Sequence, residues 1–156
     1  MDFSTFQTVC QMLKRMPGYE SSGGKSLEEI TKAESILGIP FSQQCRSFFQ
    51  IYDYVEFDGG EIFGIQNGAS ASVLEGNLVA YALHDRKHYH LPCQWLPVYN
   101  FYDGSLAYFD YSSLNENKEP RIIRAYYSAD KQAFEIIEVL ADDFGEFLFL
   151  IIKLHS

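Results

Sequence analysis

The stretch YNFYDGSLAYFD, which runs from Tyr99 to Asp110, places Asp103 and Gly104 between two runs of aromatic and apolar residues. An Asp-Gly pair flanked in this way is typical of a β-hairpin, because both residues accept the positive φ of a tight two-residue turn. The stretch therefore predicts two neighbouring antiparallel strands. The predicted cross-strand pairs are Phe101 with Leu106 and Tyr99 with Tyr108.

The two aspartates of this stretch also raise the question of a catalytic or metal-binding pair. Two carboxylates serve as acid and base when they are close and their environments separate their pKa values. Asp110 lies seven positions after Asp103, which is roughly 20 Å along an extended strand. The spacing excludes a catalytic dyad and leaves both acids as candidate contacts for a partner.

Three helices are predicted before the hairpin. The first lies within residues 1–16, where apolar residues recur at helical spacing. The second begins at a capping box formed by Ser26 and Glu29 and ends at Gly38, which accepts the positive φ of a helix end. The third covers residues 42–52 and has an unusually aromatic inner face. The chain thus begins with a helical region.

Further strands are predicted around the central hairpin. YVEF and EIFGI flank Asp58, Gly59 and Gly60, a composition typical of a second hairpin turn. RIIRAYY is rich in β-branched and aromatic residues, and a short β-like run covers residues 134–139. A polar loop, SSLNENKEP, precedes RIIRAYY. The strands are therefore concentrated in the middle and later part of the chain.

Two more helices are predicted among these strands and after them. Ser72 is the expected cap of one helix, which frays within the segment HDRKHYHLP. The apolar residues of that helix are Val73, Leu74, Leu78 and Tyr81. The last helix is C-terminal and is capped by Asp142 or Asp143.

The order of these elements favours one α+β domain over residues 1–156. Strands lie in the middle and helices at both ends, without the regular alternation of a βαβ fold. The expected architecture is a central, mostly antiparallel sheet with helices packed around it. A chain of 156 residues with 47% hydrophobic residues is long enough to bury such a core.

The charge balance restricts the class of partner. The 12 Lys and Arg against 21 Asp and Glu give a formal net charge of −9. Nucleic-acid affinity depends on cationic groups that neutralise phosphates, so direct binding of DNA or RNA is disfavoured. An acidic surface suits a basic protein partner, although many proteins with no such partner are acidic as well.

Cysteine usage and the termini indicate where the protein acts. Cys10, Cys45 and Cys93 are widely spaced and form no CxxC pattern, so neither a disulfide framework nor a thiolate zinc site is predicted. The first residues lack the charge order of a signal peptide. The apolar run at residues 147–152 is too short to span a bilayer. We expect a cytoplasmic protein that does not enter membranes.

The segment HDRKHYH is the strongest candidate for a metal site, because it holds His84, His88 and His90. His84 and His88 share a face only in a helix, whereas His88 and His90 share one only in a strand. A solvated loop is therefore the favoured interpretation. The sequence also lacks a GxSxG elbow and a phosphate-binding glycine loop. No cofactor, metal or catalytic residue is predicted.

A series of motifs resembles the SUKH superfamily, which includes bacterial immunity proteins and a yeast regulator of cell-wall synthesis. The motifs are I-x-x-A-E-x-x-L-G-I-P-F (residues 30–41), CRSFFQIY, DYVEFDGGEIFGI, WLPV (residues 95–98) before the hairpin ending in Asp110, EPRII and ADDFGEFL. The resemblance covers residues 27–148. It leaves the N-terminal helix and the histidine segment unexplained.

The resemblance implies an immunity protein that neutralises a cognate secreted toxin domain by stoichiometric binding, without catalysis. Many such toxin domains are nucleases, and a basic toxin would match the acidic charge. A regulatory interaction module like the yeast protein is the alternative, and a metal-assisted hydrolase using the histidines is a second one. Aromatic and acidic residues on turns and strand ends are the candidate partner contacts: Tyr52, Asp53, Tyr54, Glu56, Asp58, Glu61, Tyr102, Asp103 and Asp110.

Overall fold

A computed structural model describes residues 1–66 and 76–156. In these residues the chain forms five α-helices and seven β-strands. The helices are α1 (Phe3–Leu13), α2 (Leu27–Leu37), α3 (Gln43–Ile51), α4 (Leu78–Tyr89) and α5 (Phe144–Leu154). The strands are β1 (Glu20–Ser21), β2 (Val55–Phe57), β3 (Gly60–Ile62), β4 (Trp95–Asn100), β5 (Ser105–Leu114), β6 (Pro120–Ser128) and β7 (Ala133–Ala141).

The strands form two antiparallel sheets with simple sequential order. One sheet has the order β1-β2-β3, and the other has the order β4-β5-β6-β7. The two sheets meet where the Phe63 N–H donates to the Val98 carbonyl oxygen at 2.9 Å. The predicted α+β domain is therefore confirmed, with two adjoining sheets where the sequence indicated one.

Local capping signals place α2, α3 and α5 as the sequence predicted. Ser26 and Glu29 form the capping box of α2, and Gly38 ends that helix at a φ of 73°. The Ser42 side chain caps α3, and Asp143 caps α5 by accepting a hydrogen bond from the Glu146 N–H at 2.9 Å. These interactions involve neighbours three or four positions apart, which explains why the sequence alone predicts them.

The central hairpin differs from its predicted register. Its turn holds three residues, 102–104, because the Phe101 N–H donates to the Ser105 carbonyl at 3.2 Å. Asn100 therefore pairs with Leu106 and Tyr99 with Ala107, so both predicted cross-strand pairs are wrong. The reason is that Tyr102 takes a positive φ of 57°, and its N–H donates to the Asn100 side chain at 2.7 Å. In a two-residue turn of Asp103 and Gly104, Tyr102 would belong to the strand, where a positive φ does not fit.

Helix α4 differs most from its predicted extent. It begins at Leu78, where the Asn77 side chain accepts a hydrogen bond from the Ala80 N–H at 2.9 Å. It continues through most of the predicted loop to Tyr89, and its C-cap is His90, which has a φ of 56°. Leu78, Val79, Ala80 and Ala82 are all buried, so the helix lacks the single apolar face that a sequence pattern reveals. The predicted cap Ser72 and the predicted apolar residues Val73 and Leu74 lie outside the described residues.

Two further boundaries depend on strand pairing. The predicted loop between the first two helices contains β1, which pairs with β2. Strand β5 extends to Leu114, so the first three of the nine residues in the predicted polar loop before β6 belong to a strand. Neither extension is signalled locally, because each is stabilised by a neighbouring strand that is distant in sequence.

A cluster of aromatic rings within the core joins α1, α3 and α5 to the four-stranded sheet. The Phe144 ring of α5 lies 5.0 Å from the Phe48 ring of α3 and 4.9 Å from the Phe109 ring of β5, between centroids. It also lies 6.0 Å from the Phe6 ring of α1.

Among the described helices, none combines the length and the apolar composition needed to cross a bilayer.

Candidate partner-binding site

The exposed face of the three-stranded sheet carries a row of acidic side chains. Glu20 of β1 lies directly opposite Glu56 of β2, and Glu56 lies directly opposite Glu61 of β3. We call Glu20, Glu56 and Glu61 the glutamate row. Like charges at directly opposed positions destabilise a sheet. The glutamate row therefore lowers the stability of the sheet, so fold stability does not explain why three glutamates lie side by side.

Two tyrosines hold the end of the glutamate row in place. The Tyr54 hydroxyl donates a close hydrogen bond to Oε2 of Glu61. The Tyr102 hydroxyl donates to Oε1 of the same carboxylate at 3.4 Å. Burial, followed by the Glu61 hydrogen bond, raises the pKa of Tyr54, so the phenol stays a donor. The structure thus brings Tyr54, Glu61 and Tyr102 into contact. The sequence analysis named all three as candidate partner contacts but did not predict that they touch one another.

Tyr102 is the most exposed aromatic residue among the described large hydrophobic side chains, at 74%. Its backbone is fixed by the Asn100 side chain and by the positive φ of the turn. A rigid exposed aromatic residue loses little conformational freedom on binding, which is why such residues dominate binding hot spots. The geometry of this turn therefore holds the Tyr102 ring out towards solvent.

The remaining exposed candidates contribute charge at the edges of this surface. Asp58 lies at the exposed tip of the β2–β3 hairpin. Asp103 is exposed but is already engaged, because it accepts from the Ser105 Oγ at 2.6 Å and pairs with Arg124. These hydrogen bonds, that of Ser105 first, hold the pKa of Asp103 below its usual value. Its charge is consequently less available than that of Asp58.

Three of the predicted contact residues are buried, which corrects their assignment to the surface. Asp110 accepts from the Arg121 Nε at 2.9 Å and from the Ser112 N–H at 3.0 Å. Asp53 is fully buried, and its Oδ1 accepts from the Ile65 N–H at 2.8 Å. Tyr52 is buried at the end of α3. Strand ends and turns are usually exposed, but here each side chain satisfies an internal partner.

The histidine segment is helical, and only two of its imidazoles meet. The His84 and His88 rings lie one helical turn apart, with centroids at 4.5 Å, whereas His90 is the helix cap. His84 Nδ1 contacts Oδ1 of Asp85 at 2.9 Å. In the part of the chain that the structure describes, no three His, Cys, Asp or Glu side chains converge in a way that could hold a metal ion. The predicted loop is wrong, because this segment is helical up to Tyr89, whereas the predicted exposure of the three histidines to solvent is confirmed.

A cleft of about 530 Å³ lies between α4 and the four-stranded sheet. Its wall on the α4 side includes His84 and Asp85, and its opposite edge includes Tyr102, so it adjoins the glutamate row. We call it the tyrosine cleft after the six tyrosines that line it: Tyr81, Tyr89, Tyr102, Tyr108, Tyr126 and Tyr127. Its volume is that of a typical ligand pocket.

The sequence predicted only Tyr102 among these tyrosines as a contact. The spacing of Tyr81, Asp85 and Tyr89 at four residues would have placed them on one helix face, had the segment been identified as helical. Tyr126 and Tyr127 required the pairing of β5 with β6 to be known. The cleft was therefore missed because it depends on contacts between distant elements.

A family model described as SMI1-KNR4 cell-wall, SUKH_6, matches residues 27–148. The chain belongs to the SUKH_6 family. The resemblance inferred from the ordered motifs is thereby confirmed over the same residues. No curated protein matches the chain.

The family range of this SUKH chain contains most of the candidate surface. The whole tyrosine cleft and the β2–β3 hairpin lie within residues 27–148. Helix α1 and the first strand, which carries Glu20, lie before it. The glutamate row therefore combines two positions inside the matched range with one, Glu20, that lies before it.

Proposed function

We propose that this SUKH-family protein is an immunity protein that binds a cognate secreted toxin domain stoichiometrically, in the cytoplasm, and blocks it without catalysis. The observation that carries the proposal is the glutamate row, which ends at the exposed Tyr102. A fixed aromatic side chain beside a row of carboxylates is suited to a partner whose surface is basic. Nuclease toxin domains have such surfaces because they hold phosphates.

Electrostatics supports this partner class over a nucleic acid. The net charge of −9 repels a phosphate backbone and attracts a cationic domain. The same charge speeds encounter with a basic partner, since complementary potentials raise association rates.

A regulatory interaction module is the second candidate function. The family description names cell-wall proteins, SMI1-KNR4, and a regulator of that kind also acts through a protein partner. The same surface would then bind a basic segment of a signalling protein. The partner's identity separates the two functions, because only an immunity protein relieves the toxicity of a neighbouring gene product.

Co-expression tests the proposed function directly. The chain is expressed in cells together with the toxin domain encoded beside it, and growth and complex formation are measured. We expect growth arrest to be relieved and a 1:1 complex to appear at micromolar concentration. Unrelieved arrest together with no complex would contradict the immunity function.

Replacing Glu56 with lysine is expected to stabilise the fold and weaken partner binding at the same time. The substitution turns two opposed like-charge pairs into attractive ones, because Glu56 lies between Glu20 and Glu61. We expect a gain of about 1 kcal/mol in the free energy of unfolding. Association with the partner should slow by about tenfold at low salt. Urea unfolding and stopped-flow binding measure the two effects.

The matched control is Glu116→Lys, which makes the same charge change on an exposed loop outside the glutamate row. We expect it to leave both stability and association nearly unchanged. If both variants slowed association equally, net charge would control the association rate and the position of the glutamate row would not.

A further inference from the structure

We propose that the tyrosine cleft receives one cationic side chain of the partner, an arginine in preference to a lysine, against the carboxylate of Asp85. This inference rests on the proposed function, which supplies a basic partner, and it assigns a specific chemistry to a part of the surface. The glutamate row would then attract the partner, and the cleft would fix its position.

Asp85 is an acidic group placed inside an aromatic pocket. It lines the cleft and is largely buried. Among the described residues, its carboxylate forms one hydrogen bond, between Oδ1 and the His84 ring nitrogen at 2.9 Å. A carboxylate has about four acceptor positions. Asp85 therefore keeps acceptor capacity for a cation that enters the cleft it lines.

The surrounding rings favour a planar cation. Tyr81 and Tyr108 line the cleft beside Asp85, and each ring face carries partial negative charge. A guanidinium group stacks on aromatic faces and binds a carboxylate through two parallel hydrogen bonds, whereas an ammonium group does neither as well. The combination of ring faces and a carboxylate therefore selects arginine.

The rigidity of the cleft is provided by rings packed beneath it. The Tyr108 ring lies 5.5 Å from the Trp95 ring and 6.1 Å from the Phe134 ring. Tyr127 contacts Phe134 with centroids at 5.4 Å. A preformed pocket loses little entropy when a side chain enters. Trp95 is also the single tryptophan of the chain, so its fluorescence reports on this region.

The experiment uses the free full-length protein and two small probes, N-acetyl-arginine amide and N-acetyl-citrulline amide. The probes have nearly the same shape, but citrulline carries no charge. Binding is followed by Trp95 fluorescence and by NMR shifts of the tyrosine rings. We expect the arginine probe to bind with a dissociation constant on the order of 1 mM. Citrulline should bind at least about tenfold more weakly.

The variant Asp85→Asn should lower the affinity for the arginine probe by about tenfold and leave citrulline binding unchanged. Asp142→Asn, which makes the same charge change outside the cleft, should change neither affinity. If Asp85→Asn does not fold, Tyr102→Leu serves as the second variant, because Tyr102 is exposed and contributes little to the core. It should weaken arginine binding about threefold or more.

Equal binding of the two probes, absence of binding by either, or an unchanged affinity in Asp85→Asn would each overturn the inference. The outcome is separable from that of the proposed function. If the toxin is neutralised normally by Asp85→Asn, the immunity function stands and the arginine site is rejected. If the probe binds as expected but no toxin is neutralised, the site stands and the immunity function is rejected.

Discussion

Replacing Phe144 with alanine is expected to lower the free energy of unfolding by about 3–5 kcal/mol, which is much of the stability of a typical domain. Phe144 is fully buried, and its ring contacts Phe6, Phe48 and Phe109. Alanine would remove the shared contact of α1, α3 and β5 and leave a cavity that rigid neighbours cannot fill. Urea unfolding followed by circular dichroism measures the loss.

The same helix supplies the control for this substitution. Phe149 lies on the outer side of α5, where it is 38% exposed and lies under the Lys153 ammonium group at 5.2 Å. Phe149→Ala should therefore cost less than about 1 kcal/mol, since it removes a partly exposed ring and one cation–π contact. A similar loss in both variants would contradict the central role of the Phe144 cluster.

The parts of the fold that the sequence predicted correctly depend on local chemistry. The capping box of Ser26 and Glu29, the positive φ of Gly38 and the Asp143 cap involve residues within a few positions of one another. The capping contacts themselves are local, although Asp143 Oδ2 also accepts from the Met1 ammonium group and from Gln44 Nε2. A helix containing Leu78 and Tyr81 was predicted correctly, but the C-terminal extent of α4 was missed because several faces of this helix are buried, which removes the amphipathic pattern.

The candidate site was less predictable because it is assembled by pairing. Glu20 was placed in a loop, so nothing in the sequence showed that it would lie opposite Glu56. The burial of Asp53 and Asp110 was hidden for the same reason. An aspartate is usually exposed, and only the partners Ile65 and Arg121, which come from other elements, explain why these two are not.

Asp53 leads to the second large prediction, which concerns pH. This residue is fully buried with a φ of 58°. Burial raises the pKa of its carboxyl to about 6, against the opposing effects of the Ile65 N–H and Lys25. The native state therefore binds a proton that the unfolded state, with an ordinary pKa near 4, releases. Stability from this group is present at low pH and is lost as pH rises from about 4 through 6.

The size of the effect follows from the pKa difference of about two units, which corresponds to roughly 3 kcal/mol by pH 7. Asp53→Asn removes the ionisation and keeps an oxygen that accepts from the Ile65 N–H, and asparagine tolerates a positive φ. We expect the variant to match the wild type near pH 4 and to be more stable by up to about 3 kcal/mol at pH 7. Urea unfolding at a series of pH values measures the difference between the two proteins.

The other carboxylates titrate equally in the wild type and in Asp53→Asn. The difference in free energy of unfolding between the two proteins therefore reports on the titration of Asp53 alone. Asp53→Ala is the control, because alanine also cannot ionise but offers no acceptor to the buried Ile65 N–H. It should be less stable than Asp53→Asn at every pH, by about 1–3 kcal/mol. A difference between wild type and Asp53→Asn that stays constant from pH 4 to 7 would mean that the carboxyl titrates alike in both states. The buried carboxylate would then be stabilised by its hydrogen bonds as much as burial destabilises it.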